Sequence, residues 1–91
     1  IVAERQRFTD KLREFPFIHP YESQANYILC RVEGVAVGAV RAAMEHRGII
    51  LRYFDSPRLA DCIRISVGTS MQNESVVVAL RTLNQGGNDG K

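Results

Sequence analysis

The run Cys62-Ile63-Arg64-Ile65-Ser66-Val67, followed by Gly68 and then Thr69-Ser70-Met71-Gln72, leaves the chain little choice of architecture. Its first six residues alternate. Ile63, Ile65 and Val67 share one parity, and Cys62, Arg64 and Ser66 share the other, the pattern of a strand with one buried face. Gly68 breaks the strand. Thr69 with Gln72 three residues on forms a capping-box pattern, and Val76, Leu80 and Leu83 recur behind it at helical spacing. A strand that passes straight into a capped helix packs that helix on a sheet, so the junction predicts a two-layer unit with Arg64 on the parity opposite the isoleucines.

The rest of the chain supplies the other elements. Phe8, Leu12 and Phe15 at i, i+4, i+7 predict an amphipathic helix over about residues 1–15, ended by Pro16. Residues 17–24 read as extended or turning backbone and lead into an apolar strand over 26–32. Gly34 breaks that strand, and Val37, Val40 and Met44 then predict a helix as far as Gly48, which is well placed as a left-handed cap after His46 and Arg47. Residues 49–54 are strand-like, and a polar loop over 55–61 separates them from the strand at 62–67. The order is α-β-α-β-β-α. A right-handed crossover makes the first two strands parallel and lets the third lie antiparallel between them. The expected fold is therefore an α/β (α+β) two-layer sandwich, with a small mixed three-stranded sheet and helices on one face. It forms one domain over residues 1–84, and residues 85–91, without an apolar side chain, are read as a flexible tail.

Composition narrows the function. The twelve basic residues are interspersed with ten acidic ones for a net charge of +2, with no basic stripe, so neither nucleic acid nor an anionic membrane surface is expected as a partner. No apolar run approaches the roughly 18 residues of a membrane span, and we expect a cytoplasmic protein. The chain has no initiator Met and opens on what reads as the inside of a helix, so we take it as part of a longer chain. Cys30 and Cys62 lie in separate apolar runs without zinc or redox spacing and are expected to be buried free thiols. His19 and His46 have no third ligand near them in sequence, and their expected roles are polar ones in loops and at helix ends. No phosphate loop, nucleophile elbow or carboxylate pair is present, so no catalytic residue is expected here.

The residues that invite a binding role are arginines inside strands. Arg64 is flanked by Ile63 and Ile65, and on the preceding strand Arg52 shares its parity with Ile50 and Phe54, opposite Ile49, Leu51 and Tyr53. If the two strands pair, both arginines leave the same face, where their repulsion is relieved by a carboxylate or phosphate between them. Periodicity alone leaves a second reading open, in which each arginine pairs with an acid such as Asp55 or Asp61 or extends to water.

Three segments carry a family resemblance: Ser23-Gln24-Ala25-Asn26-Tyr27-Ile28-Leu29, Arg47-Gly48-Ile49-Ile50-Leu51-Arg52 and Cys62-Ile63-Arg64-Ile65-Ser66-Val67-Gly68-Thr69. In this order they resemble the histidinol-phosphate aminotransferases, and the likeness runs from the first helix to about Leu83. It implies the C-terminal small domain of a fold-type I pyridoxal-phosphate enzyme, inactive alone, whose Schiff-base lysine and other cofactor contacts belong to an N-terminal large domain, usually in a homodimer. It also implies that Arg64 binds the acidic end of the substrate, with Arg52 as a second contact. That end is the glutamate carboxylate in one half-reaction and the phosphate of histidinol phosphate in the other. Ser70 departs from the proline common in relatives. Asn26 reads as a device for starting its strand. Small domains of threonine-phosphate decarboxylase and aromatic aminotransferases are similar, and a free-standing α/β ligand-binding or regulatory module is the alternative of another class.

Overall fold

A computed structural model describes the backbone of residues 2–22 and 26–89, and the side chains of 3–22 and 26–83. The elements are α1 (Val2–Arg13), β1 (Ile18–Pro20), β2 (Tyr27–Val32), α2 (Val37–His46), β3 (Arg52–Tyr53), β4 (Cys62–Ser66) and α3 (Ser70–Asp89). The strands form one sheet in the order β1-β2-β4-β3, and every neighbouring pair is antiparallel. The expected two-layer α+β arrangement is present, and the last strand does lie antiparallel between two others.

The expected three-stranded mixed sheet is corrected to a four-stranded one with antiparallel neighbours. The additional strand, β1, pairs Ile18 with Val32 and Pro20 with Cys30. Pro16 and Pro20 hid it in the sequence, but an edge strand tolerates proline because one side of it makes no ladder bonds. At the other edge, the segment expected as a strand over 49–54 pairs only at Arg52 and Tyr53. The helix expected to end near Leu83 continues in its backbone through Asp89, into the segment read as a tail.

Register assigns the faces. Cys30 faces Ile63 and Ile28 faces Ile65, so these side chains share one face of the sheet with Ile18, Val32 and Tyr53. That face is closed by the helices: Phe8 and Leu12 of α1, Val40 and Met44 of α2, and Val77 and Leu80 of α3 are buried in the same core. Burying a side chain of this size stabilises the fold by about 1.5–3 kcal/mol. No helix of the described residues is long and apolar enough to cross a membrane.

Two junctions fix how the helices meet the sheet. After α2, Gly48 adopts φ +75°; its N–H donates to Glu45 O at 3.0 Å, and the Ile49 N–H donates to Met44 O at 2.9 Å. This pair of bonds is a Schellman cap, and Ile49 packs against the core that holds Met44. At α3, the Gln72 N–H donates to Thr69 Oγ1 at 3.1 Å and the Thr69 N–H donates to Gln72 Oε1 at 2.9 Å, completing the capping box. Asn73, buried one residue further on, accepts the Gly68 N–H at 2.9 Å and donates through Nδ2 to Gly68 O at 3.1 Å and Glu4 Oε2 at 2.8 Å. It ties α1 to the strand-to-helix turn.

Candidate functional site: an arginine pair on the open sheet face

The face away from the helices carries Tyr27, Leu29 and Arg31 on β2, Cys62, Arg64 and Ser66 on β4, Arg52 on β3 and His19 on β1. Arg64 lies directly across from Arg52 on one side and from Leu29 on the other. The strands pair as expected, so both arginines leave the sheet side by side, with Cβ atoms at the roughly 4.5–5.5 Å spacing of a cross-strand pair. Two like charges in that position cost up to about 1 kcal/mol.

Their surroundings distinguish them from the other arginine of this face. Arg31 Nη1 donates to both oxygens of Asp61 at 2.6 and 2.7 Å, and its Nε donates to Tyr21 Oη at 2.9 Å. The Tyr21 hydroxyl and then the Asp61 carboxylate hold the Arg31 guanidinium charged beyond its ordinary range. Asp61, one of the acids named as a partner for Arg52 or Arg64, is thus committed to Arg31. Among the described residues no carboxylate forms an ion pair with Arg52 or Arg64. Each lies over an aromatic ring instead: the Arg64 guanidinium carbon is 4.8 Å from the Tyr27 ring centroid, and that of Arg52 is 5.7 Å from the Phe54 ring centroid. Arg64 is half-buried and Arg52 exposed.

Strand parity had brought Arg52 and Arg64 together, and Phe54 with them. Tyr27 and the Arg31–Asp61–Tyr21 cluster were missed. Their signal was present in the parity of 27, 29 and 31, but it acquires meaning only once β2 is known to border β4. His46 closes α2, and His19 sits on β1 with Nε2 3.2 Å from Glu33 Oε1. No cluster of three metal-ligating side chains occurs among the described residues. Cys30 and Cys62 are free and buried, as expected, and desolvation pushes the Cys30 thiol up to about 12.

Residues 1–82 match the family "Aminotransferase class I and II". The chain belongs to the class I and II aminotransferases. Among curated members of this family, the histidinol-phosphate aminotransferase of Roseiflexus castenholzii is 44% identical over 84 residues, which cover 89% of this chain and 23% of that protein. The chain thus spans about a quarter of the length of the aminotransferases it matches. A decarboxylase from Sulfurospirillum multivorans superposes with a TM-score of 0.79 at 27% identity, over 90% of this chain and 24% of that one. The histidinol-phosphate aminotransferase of Clostridium acetobutylicum has the same fold, with a TM-score of 0.85 at 22% identity over 94% of this chain and 27% of that one.

The family implies pyridoxal phosphate, and the described residues do not fit its covalent attachment. The one lysine among the described residues, Lys11, is on α1, whose Phe8 and Leu12 pack against the helix-covered face of the sheet. The arginine pair occupies the other face. What these residues do fit is a carboxylate or phosphate group, which accepts parallel charge-assisted hydrogen bonds from a guanidinium fork.

Proposed function

We propose that residues 1–84 are the substrate-recognition small domain of an aminotransferase acting on L-histidinol phosphate and 2-oxoglutarate, with Arg64 and Arg52 binding the anionic end of either substrate. The observation that carries this reading is the directly opposed arginine pair, with no ion-pair partner among the described residues, on the sheet face that no helix covers. An anion between the two guanidiniums converts a repulsive arrangement into two charge-assisted contacts. Each is worth about 1.5–3 kcal/mol.

This reading divides the labour between the small domain and the rest of the enzyme. This chain binds and orients; pyridoxal phosphate, when bound by the remainder of the enzyme, supplies the electron sink for amino transfer. The larger chain, a cytoplasmic or organellar location, a homodimer and the place of the reaction in histidine biosynthesis belong to the same reading, supported by the histidinol-phosphate aminotransferases among the relatives. The likeness to a decarboxylase, together with the fold shared with an L-threonine-O-3-phosphate decarboxylase from Porphyromonas gingivalis, favours one second reading, a decarboxylase of a phosphorylated amino acid, which needs the same anion contacts.

The test is the visible absorbance of the full-length enzyme loaded with pyridoxal phosphate. Adding L-histidinol phosphate should shift the cofactor band, 2-oxoglutarate should restore it, and Arg64→Ala should need at least about tenfold more substrate for the same response. Release of carbon dioxide from a phosphorylated amino acid would establish the decarboxylase instead, and an enzyme that takes up no cofactor would overturn both.

A further inference from the structure

We propose that Tyr27 and Phe54 are positioning residues for the arginine pair, their rings setting where each guanidinium stands before an anion arrives. The inference deepens the reading of Arg64 and Arg52 as anion-binding residues and rests on it.

Register shows what the rings do. Tyr27 pairs with Ser66, two residues beyond Arg64 on β4, so it lies diagonally from Arg64 on the side away from β3. Phe54 follows Arg52 by two residues. Because β3 runs antiparallel to β4, with Arg52 across from Arg64 and Tyr53 across from Ile63, Phe54 lies toward the Cys62 end. The Arg64 guanidinium, over Tyr27 at 4.8 Å, is therefore drawn toward one end of the sheet, and that of Arg52, over Phe54 at 5.7 Å, toward the other. The two cations are splayed along a diagonal.

Three consequences follow. The splay separates like charges that the backbone places side by side, so the open face tolerates them without a carboxylate. It restricts long side chains that would otherwise sample many rotamers, which lowers the ordering cost of binding. It also places the surface of β4 beside Leu29 between the two guanidiniums, which is where an anion bound by both would lie. Ring attraction is electrostatic, from the negative face of the aromatic quadrupole, and is worth about a two- to fivefold change in affinity at a partly exposed site.

That origin separates positioning from simple packing. In the full-length enzyme loaded with pyridoxal phosphate, Tyr27 is replaced by phenylalanine and then by progressively fluorinated phenylalanines, which keep the ring while draining its negative face. Tyr27→Phe should retain the KM for both L-histidinol phosphate and L-glutamate. The fluorinated series should raise both KM values stepwise, to about fivefold, with kcat nearly constant. The same series at position 54 should act in parallel with smaller steps, since that contact is longer. Fluorinated variants with unchanged KM would overturn the proposal, as would a loss confined to kcat. Arg64→Ala run alongside keeps the two levels apart: if it raises KM while the fluorinated series stays flat, positioning fails and anion binding stands. If Arg64→Ala leaves KM unchanged, the anion reading itself fails.

Discussion

Arg31, Arg52 and Arg64 stand on one face of the sheet, yet only Arg31 is neutralised by an acid of the described chain. At the residue scale this contrast separates an arginine tied into the fold from the pair proposed to bind a ligand. Asn73 and Glu4 are structural in the same sense. Asn73→Ala leaves the Gly68 N–H without its acceptor and should destabilise the chain by about 1–3 kcal/mol in urea titrations. Hydrogen bonds from Arg7 and then from Asn73 lower the Glu4 carboxyl from its ordinary 4.5 to about 2. Because the folded value is depressed, this contribution to stability is complete above about pH 4.5 and is lost as pH falls toward 2. Acid titrations of stability should therefore fall more steeply for the native sequence than for Glu4→Gln over that window. The Cys30 thiol, buried and shifted to about 12, should resist a disulfide reagent at neutral pH and react only after unfolding, which a thiol count with and without denaturant checks. None of these tertiary partners was legible in advance. Glu4 and Asn73 are 69 residues apart, and no local pattern announces a contact of that range.

At the scale of elements, the signals that could be read were those whose chemistry is local. The capping box at Thr69 and the glycine cap at Gly48 each use atoms within a few residues, and both form at the expected positions. Gly48→Ala forces a Cβ into a left-handed conformation at φ +75° and should cost about 1–2 kcal/mol, while Thr69→Ala should cost about 1 kcal/mol. Thermal or urea unfolding measures both. The edges of the sheet were less legible. β1 is three residues long and ends on Pro20, and β3 keeps two paired residues of an expected six, because a strand at an edge is defined by its neighbour more than by its own composition. The continuation of the α3 backbone past Leu83 into Gly86 and Gly87 runs against helix propensity, at about 1 kcal/mol per glycine.

At the scale of the whole molecule, three helices close one face of the sheet and leave the other to the arginines. This division was legible from alternation alone: isoleucines on one parity of β4 and Arg64 on the other, with Arg52 of β3 directly across from it. What alternation could not supply was the order of the strands. Only when β2 is placed beside β4 do Tyr27 and Leu29 become neighbours of Arg64. Family membership rests on residues 1–82 together, whereas the proposed anion site depends on how the open face would be used in a full-length enzyme. The measurement that bears on it most directly is the ratio of kcat/KM for L-histidinol phosphate to that for L-histidinol, in the native enzyme and in the Arg52→Ala/Arg64→Ala double variant. The anion site predicts a strong native preference for the phosphorylated substrate and a loss of at least about a hundredfold of it in the variant, from two charge-assisted contacts. An unchanged ratio would contradict it and would place recognition of the phosphate on residues outside this chain.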